Sequence, residues 1–485
     1  MTTTTTHRPP AAVRVTTERH QVETGDPLAV YLALRERYGP DQVYLLESPA
    51  GPAGDCRHAY VGFGEVLSVA VDGDDVSVDG LPALAGPARE RAGRADGLTE
   101  VLRAVHHLVD GPRHPDRFGF GFLAFLSYDA ARHFERLPRL IESADPLPDA
   151  CLVLHRGLVR FDLSGGVTEL LLHRSDSWPD DPAGELVALL AGTAGRPAPP
   201  PARDVPPPLA VSDDVERPDY HDTVDRCLEH IAAGDIYQIQ VGHQLTIRSA
   251  ADPVDVYRRL RDRNPSPYMS MAPLVGRTLI SASPELFVRV EGGTATMRPI
   301  AGTAPRAADG TGDEATGDRL RSDPKEVAEH IMLVDLCRND IGRICRPDTL
   351  RVTDTMSVEA YSHVLHLVSA VEGVVRDDLD SYAVLAALFP SGTMTGAPKI
   401  RAMEIIESME QSRRGLYAGA FGLIGLGGYV DLALCIRSLV HAGGVYRARA
   451  SAGVVADSQA DREWRETLAK LSATYWAVTG KELLS

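Results

Sequence analysis

A predicted helix that carries two glutamates on one face is the feature that most constrains this chain. Asp323 precedes Pro324, and Glu326 stands three residues after Asp323. This order is typical of an N-cap, a first helical position and an acidic first turn. We therefore predict a helix over Asp323–Arg343. Glu326 and Glu329 are three residues apart, so both carboxylates project from the same side of that helix.

A second pair of glutamates stands near the C-terminus, in the segment DREWRETLAK. Glu463 and Glu466 are again three residues apart, on a stretch whose apolar residues have helical spacing. Four carboxylates on two helices repel one another unless a cation lies between them, and an oxygen-only set suits Mg2+. For either pair alone, a solvated helix face is the simpler interpretation.

The charge balance excludes two classes of partner. The chain of 485 residues has 67 acidic and 50 basic residues, a formal net charge of −17, whereas nucleic-acid binding depends on clustered Lys and Arg. Attraction to an anionic membrane is not indicated either, and no apolar run approaches the ~18 residues that span a bilayer. The six cysteines are scattered without a CxxC pair, so no zinc site or disulfide framework is indicated. With no signal-peptide pattern, we expect a cytoplasmic protein.

Four regions are predicted along the chain. Residues 1–22, which begin MTTTTTHRPP, are expected to form a disordered tail. Residues 23–195 are expected to form an N-terminal domain, residues 196–212 a proline-rich linker, and residues 213–485 a second domain that holds both glutamate pairs. Strand-like runs mix with helices on both sides of the linker, and no glycine-rich phosphate loop is present. We therefore predict an α+β fold with extensive antiparallel sheet, and not a doubly wound nucleotide-binding domain.

Individual elements are predicted from the periodicity of apolar residues. Strands are expected at Val43–Ser48, Ala59–Phe63, Leu67–Gly73, Asp235–Val241, Thr278–Val290 and Ala295–Ile300. A helix is expected at Leu98–Val109, and the run Tyr361–Gly373 is compatible with either helix or strand. On the Asp323–Arg343 helix, the residues expected to face the core are Val327, Ile331, Val334 and Ile341.

Four short motifs carry candidate chemistry. In SPELF, Glu285 follows Pro284 in an apolar run, where a carboxyl is either a hydrogen-bonded structural group or a general acid with a raised pKa. The loop RPIAGTAPR offers backbone amides and the Thr303 hydroxyl to an oxygen-rich ligand, or simply closes a turn. His366 lies in VLHLVS, where a lone histidine is more often a satisfied core residue. FPSGTMTGAPK leads into a helix and can present Thr393 to an anion.

Taken together and in this order, the motifs resemble those of the chorismate-utilising enzymes, most closely the large subunit (component I) of anthranilate synthase. The resemblance extends over the chain after Asp219 and, more weakly, to VYLLES, CRHAYVG and GFLAFLSYD. It implies antiparallel sheets covered by helices in two interleaved subdomains, with a regulatory-like domain at 23–195 and a chorismate-binding catalytic domain at 213–485. It also implies Mg2+-dependent chemistry on chorismate.

The resemblance also implies roles for individual residues. The positions that match catalytic residues of the family are Glu285, His366, Gln238 and Thr393, and those that match substrate-binding residues are Gly302, Thr303, Tyr417, Arg437, Ala452, Gly453 and Lys470. Glu285 would protonate the departing C4 hydroxyl, and His366 would assist proton movement during aromatisation. Tyr417 and Arg437 would bind the enolpyruvyl carboxylate.

The four glutamates of the two predicted helices match the metal side of the family's site. By resemblance, Glu329 and Glu466 would be direct Mg2+ ligands, while Glu326 and Glu463 would hold the metal's waters. The cation would bind the ring carboxylate of chorismate and offset its charge.

Two positions bear on which nucleophile enters and at which carbon. Family members that add water have a lysine where this chain has Gln238, so ammonia is the predicted nucleophile. Members that aminate C4 commonly have lysine in the loop PIKGT, where this chain has Ala301, so amination at C2 is predicted.

The favoured outcome is pyruvate elimination, giving anthranilate for tryptophan or specialised-metabolite biosynthesis. Release of 2-amino-2-deoxyisochorismate, formation of 4-amino-4-deoxychorismate, and a regulatory subunit without activity are the alternatives.

The chain departs from the family's patterns in two loops. The usual GTRPRG is GTAPRA here, with Ala304 and Ala307, and the usual AGAG is ASAG, with Ser451. These departures affect the details of substrate binding more than the class of reaction.

Partners and effectors are also implied by the resemblance. A candidate tryptophan-feedback pocket comprises Ser48, Pro267, Tyr268 and Met269, although LLES can equally be a buried edge strand. No glutaminase nucleophile motif with a downstream histidine and glutamate occurs in the sequence. Ammonia is therefore expected from a separate glutamine amidotransferase subunit or from free ammonium, in a hetero-oligomer or homodimer.

Overall fold

The fold is built around one large sheet. The computed structural model describes residues 13–143, 146–306, 310–361 and 364–484. Its strands are β1 (Val13–Arg14), β2 (Thr16–Gln21), β3 (Val43–Glu47), β4 (His58–Asp72), β5 (Asp75–Gly80), β6 (Val109–Asp110), β7 (Gly121–Leu126), β8 (Ala150–Asp162), β9 (Val167–Arg174), β10 (Ala210–Asp213), β11 (Gln238–Arg248), β12 (Tyr268–Leu274), β13 (Arg277–Ser283), β14 (Leu286–Glu291), β15 (Thr294–Met297), β16 (Ile300–Pro305), β17 (Arg351–Ala360), β18 (Val364–Val374), β19 (Gly396–Ala397), β20 (Ala420–Gly425), β21 (Val430–Leu434), β22 (Ser438–Ala442) and β23 (Val445–Val454).

Helices cover the sheet. They are α1 (Pro27–Tyr38), α2 (Pro82–Ala92), α3 (Leu98–His106), α4 (Ala183–Ala191), α5 (Arg217–Ala232), α6 (Pro253–Arg263), α7 (Asp313–Ser322), α8 (Pro324–Ile344), α9 (Ser381–Leu388), α10 (Lys399–Met409) and α11 (Ala460–Thr479). Short 3-10 helices lie at Pro40–Gln42, Tyr128–His133, Pro347–Thr349 and Gly392–Met394. Within the described residues, no helix is long and apolar enough to cross a membrane.

The sheet divides at the long strand β8. β8 pairs with β4 along most of its length, while its first residues also pair with β7 and its last with β9. One branch continues from β4 through β3, β12, β13, β22 and β23 to β11. The other continues from β7 through β20, β21, β14 and β15 to β18, which also pairs with β16 and β17. These pairs are all antiparallel, which confirms the predicted α+β class.

Strand β7 joins the first and second halves of the chain in one sheet. Its sequence GFLAFL is buried throughout, and it pairs with β20 on one side and β8 on the other. A Cβ added at Gly121 would lie 2.1 Å from the carbonyl oxygen of Ile424, so the two backbones approach more closely than any side chain allows. The segment before the proline-rich stretch therefore contributes an interior strand to the sheet that carries the second half.

Three expectations from the sequence are corrected here. Residues 1–22 were expected to be disordered, yet β1 and β2 lie in this range, and β2 pairs with β9 although its residues are polar. The single strand expected at Thr278–Val290 is two strands, because Pro284 interrupts it and lacks an N–H for the ladder. Ile331 was expected to face the core, but it is 51% exposed, and α8 instead buries His330 and Leu333.

Two other expectations are resolved. The Asp323–Arg343 helix is α8, in which the Asp323 side chain accepts from the backbone N–H groups of Lys325 and Glu326. The run Tyr361–Gly373, compatible with helix or strand, is strand β18 where it is described. Its residues 362–363, and Ala307 in the GTAPRA loop, lie outside the described residues.

Candidate active site

Glu285 lies at the break between β13 and β14, where the chain crosses from one branch of the sheet to the other. Its side chain is buried, and Thr393 Oγ1 donates a hydrogen bond to Glu285 Oε1 at 3.0 Å. Burial raises the pKa of Glu285 to about 7, although the Thr393 hydrogen bond and the charge of Lys470 act in the opposite direction. A carboxyl with this pKa is largely protonated just below neutral pH and can act as a general acid.

One ring nitrogen of His366, on β18, is hydrogen-bonded to the backbone. Its Nδ1 donates to the carbonyl oxygen of Gly302 at 2.9 Å and lies 3.2 Å from Thr303 Oγ1. Because a carbonyl oxygen can only accept, the hydrogen is on Nδ1 and the lone pair is on Nε2. Burial lowers the pKa of His366 to about 4, and the positive charges of Arg437 and Lys470 lower it further. His366 is therefore a neutral imidazole at neutral pH.

Strands β11 and β23 supply an amide-rich surface. Gln240 lies opposite Gly453, and side-chain alternation puts Gln238 and Gln240 on the same face as Ser451 and Gly453, with Ala452 on the other. A Cβ at Gly453 would lie 3.1 Å from Gln238 Nε2, so glycine makes room for that side chain. Gln238 is 2% exposed, and its Oε1 has no hydrogen-bond partner among the described residues. Such an oxygen is costly to bury and can accept an N–H from a ligand.

Arg437 lies between β21 and β22 with a positive φ of 51°, an uncommon backbone conformation for a non-glycine residue. Its guanidinium makes no hydrogen bond or ion pair with any described residue. Burial lowers the pKa of Arg437, while the nearby Tyr417 and Glu466 raise it. A half-buried guanidinium in this state is suited to bind a ligand carboxylate.

A hydrogen-bond chain crosses the site from Tyr417 to β11. Tyr417 Oη lies 2.5 Å from Ser451 Oγ, and Ser451 Oγ donates to Gln240 Oε1 at 2.9 Å. Lys470 Nζ donates to the Ser451 carbonyl oxygen at 2.9 Å and lies 2.7 Å from Glu466 Oε1. Lys470, which lies on α11, therefore links this hydrogen-bond network to Glu466 of the acidic cluster.

The four glutamates of α8 and α11 are within electrostatic reach of one another. Burial raises the pKa values of Glu326, Glu329 and Glu463, and the negative charge of Glu466 raises all three further. A Cβ at Gly302 would lie 3.2 Å from Glu326 Oε2, so this cluster adjoins the part of β16 whose Gly302 carbonyl binds His366. The oxygen-only donors and their mutual repulsion fit a hard divalent cation.

The four glutamates predicted to bind Mg2+ do not bring three ligand atoms within 4.8 Å of one another. Within the described residues, the group with three ligand atoms inside 4.8 Å is instead Asp213, Asp214 and His243. His243 uses both nitrogens in hydrogen bonds, to Asp213 and to Thr467 Oγ1. Asp214 Oδ1 accepts from the N–H of Gln244 at 2.6 Å. This second group is therefore already hydrogen-bonded structure.

A buried cluster of charged residues, which the sequence analysis did not predict, hydrogen-bonds the backbone of β11. Glu410 lies 2.9 Å from both Arg414 and Arg449, and its Oε1 accepts from the N–H of Gly242 at 3.1 Å. Arg414 also donates to the carbonyl oxygen of Gln240 at 2.7 Å. The hydrophobic pattern does not point to this cluster, because it contains charged groups only, and Arg449 on β23 and Gly242 on β11 reach Glu410 through tertiary contacts.

We expect Glu410→Ala to lower the free energy of unfolding by about 3–5 kcal/mol, since it leaves two buried guanidinium groups without their carboxylate. Urea denaturation followed by circular dichroism measures this. Glu404→Ala, which removes an exposed carboxylate of α10, is the matched control and should change stability little. Equal stability of the two variants would contradict the assigned role.

The four predicted feedback residues come together between β3 and β12. Ser48 Oγ donates to the carbonyl oxygen of Pro267 at 2.5 Å, and Met269 pairs with Glu47 across the two strands. Tyr268 Oη donates to Asp55 at 2.8 Å. With Arg57, His58 and Arg289, these residues line one pocket.

Comparisons with known proteins identify the family of the chain. Residues 41–475 match the family model for the chorismate binding enzyme. The 2-amino-4-deoxychorismate synthase of Streptomyces globisporus is 58% identical, over 98% of this chain and 98% of that protein. Anthranilate synthase component 1 of Streptomyces coelicolor is 40% identical, over 96% of this chain and 89% of that protein.

A solved structure has the same fold. Anthranilate synthase component I of Streptococcus pneumoniae superimposes with a TM-score of 0.71 and 29% identity, covering 86% of this chain and 92% of that one. The match to the family model covers most of the chain and includes both glutamate pairs, Glu285 and His366. The chain therefore belongs to the chorismate-binding enzymes.

Proposed function

We propose that this chain aminates chorismate at C2 with ammonia and releases the product with its enolpyruvyl group retained. The observation that carries this proposal is the 58% identity, over nearly the whole of both chains, to a protein named 2-amino-4-deoxychorismate synthase. That name describes a chorismate that has gained a 2-amino group and lost its 4-hydroxyl, which is also 2-amino-2-deoxyisochorismate. Among the outcomes considered from the sequence, this relative favours amination without elimination.

The charges around the site suit a dicarboxylate. Arg437, whose guanidinium has no partner in the part of the chain that the structure describes, would bind the enolpyruvyl carboxylate, as the resemblance implies. The acidic cluster would hold Mg2+ through Glu329 and Glu466, with Glu326 and Glu463 holding its waters. When bound, the cation supplies positive charge that offsets the ring carboxylate in a strongly anionic protein.

The amination step uses Glu285 as the acid. Ammonia attacks C2, the C1–C2 π electrons move to C1–C6, the C5–C6 π electrons move to C4–C5, and the C4–O bond breaks. Glu285, protonated near neutral pH, gives its proton to the departing hydroxyl, which leaves as water. The unpartnered Oε1 of Gln238 accepts an N–H of ammonia and so orients the nitrogen lone pair. Thr393 holds Glu285 in place.

The product identity tests the proposal. The chain is incubated with chorismate, Mg2+ and an ammonium salt, and products are followed by mass spectrometry, anthranilate fluorescence and a coupled assay for pyruvate. We expect a non-aromatic product, with the hydroxyl replaced by an amino group and the enolpyruvyl group intact. Anthranilate and pyruvate in equal amounts would favour elimination, the outcome that the 40% identical relative supports. Unchanged chorismate would overturn the enzymatic assignment.

The source of ammonia gives a further expected outcome. No glutaminase motif was found in the sequence, so we propose a separate glutamine amidotransferase subunit as partner. The chain alone should work with ammonium salts and not with glutamine. Turnover of glutamine by the isolated chain would contradict the proposed partnership.

A further inference from the structure

In the hydrogen-bond network Tyr417–Ser451–Gln240, counting the available hydrogens shows which group donates in each bond. Gln240 Oε1 can only accept, so the single hydroxyl hydrogen of Ser451 is used in that bond. Ser451 Oγ must then act as the acceptor toward Tyr417 Oη, 2.5 Å away. The only hydroxyl hydrogen of Tyr417 is therefore used within the protein.

We propose that Ser451 determines whether the enolpyruvyl group is retained, because its hydroxyl oxygen accepts the hydrogen bond that Tyr417 donates. This inference rests on the proposed function and names the residue that keeps the product from losing pyruvate. Ser451 acts as a positioning residue through Tyr417. Glycine, which the family's AGAG pattern has at this position, offers no hydroxyl and would leave the Tyr417 hydrogen free.

The elimination that Ser451 would suppress needs a donor at the leaving oxygen. A base removes the C2 proton, the C2–H electrons form the C2–C3 π bond, and the C3–O bond breaks with its electrons on oxygen. The leaving group is the enolate of pyruvate, which takes up a proton at its methylene carbon. A hydroxyl aimed at that oxygen stabilises the negative charge as it develops, and such donors are typically worth about 10²–10³ in rate.

Tyr417 belongs to the side of the site that the resemblance assigns to the enolpyruvyl group. Tyr417 raises the pKa of Arg437, the cation assigned to the enolpyruvyl carboxylate. The positive charge of Arg437 in turn lowers the pKa of His366, whose Nε2 lone pair can act as the base. The guanidinium of Arg414 lies 5.8 Å from the centre of the Tyr417 ring and helps to fix it. With its hydrogen committed to Ser451, Tyr417 offers only lone pairs to the substrate, so the binding of the enolpyruvyl carboxylate that the resemblance implied for Tyr417 and Arg437 together falls to Arg437.

The test is the ratio of pyruvate released to chorismate consumed, measured with ammonium as the nitrogen source. Ser451→Ala removes the acceptor, so we expect this ratio to rise by at least about tenfold over that of the native chain. Gln240→Met frees the Ser451 hydrogen and should raise the ratio in the same direction. Tyr417→Phe alone should leave the ratio at the native value.

The double variant identifies the donor. Adding Tyr417→Phe to Ser451→Ala should return the ratio to the native value, since no hydroxyl is left to stabilise the leaving oxygen. Ser249→Ala is the matched control, because Ser249 is another buried serine whose Oγ accepts a backbone N–H, that of Ala251, at 3.1 Å. It should not change the ratio. Circular dichroism confirms that each variant is folded.

Failure of this inference is distinguishable from failure of the proposed function. A native chain that releases one pyruvate per chorismate overturns the proposed function. A native chain that retains the enolpyruvyl group, with a folded Ser451→Ala variant that also retains it, overturns only the role of Ser451. Pyruvate release that persists in the double variant overturns the role of Tyr417 as donor and, with it, this inference.

Discussion

Replacing Glu285 by Gln is expected to lower kcat for chorismate amination by about 10²–10⁴, the usual contribution of a positioned general acid. The substitution keeps the size of the side chain and its acceptor oxygen toward Thr393, and removes only the transferable proton. KM for chorismate should stay within roughly threefold, because Glu285 is needed when the C4–O bond breaks and not for ground-state binding. Initial rates of chorismate consumption measure both constants.

The pH dependence of the native enzyme gives an independent check on Glu285. Its raised pKa of about 7 means that the acid form is present below that pH and is lost as the pH rises. The rate per unit of free NH3 should therefore fall on the alkaline side of about pH 7. The Thr393 hydrogen bond lowers this pKa, so Thr393→Val should raise it and move the alkaline limb upward. An unchanged limb, or full activity of Glu285→Gln, would remove Glu285 from the mechanism.

Local signals were enough to predict the acidic helix. Asp323, Pro324 and Glu326 fix where α8 begins, because capping and the proline ring act within one turn and need no tertiary information. The inward face was harder to predict. The pattern predicted Ile331, but α8 buries the polar His330, whose Nε2 hydrogen-bonds Ser369 Oγ at 2.7 Å.

The break at Glu285 is a local departure from a regular strand at the residue proposed as the general acid. SPELF lies within an apolar run that predicts one strand. Pro284 ends the ladder there, and the chain crosses between the two branches of the sheet at Glu285, whose carboxyl is buried. The proline was visible in the sequence, but the crossing depends on which strands pair.

The contacts between Gln238, Gln240, Ser451 and Gly453 depend on how β11 pairs with β23, two strands far apart in the sequence. Gln240 and Gly453 are opposite only because β11 and β23 pair in one register, and a shift of one residue would turn Gln238 and Ser451 away from the site. Family resemblance identified Gln238 and Ser451 separately. It could not show that Ser451 donates to Gln240, because that bond joins residues 211 positions apart.

The second large effect is expected at the acidic cluster. Glu329→Gln should weaken Mg2+ binding by at least about 100-fold, since changes to outer-shell partners alone typically cost about 10–100-fold. Without Mg2+, the same variant should be at least as heat-stable as the native chain. The reason is that burial and the charges of Glu326 and Glu466 raise the pKa of Glu329, so its ionised form is disfavoured in the folded protein.

Calorimetric titration with Mg2+ and the Mg2+-induced rise in Tm measure this prediction without relying on activity. The native chain should gain stability with Mg2+, because an ion that binds the folded state shifts the folding equilibrium toward it, and Glu329→Gln should lose that gain. Asp335→Asn is the matched control, as Asp335 is an exposed carboxylate on the same helix and pairs with Arg338.

If Asp335→Asn and Glu329→Gln bind Mg2+ with equal affinity, the cation is held elsewhere. The negative charge of α8 and α11 would then need another neutralising partner, of which Lys470, 2.7 Å from Glu466, is the nearest one identified.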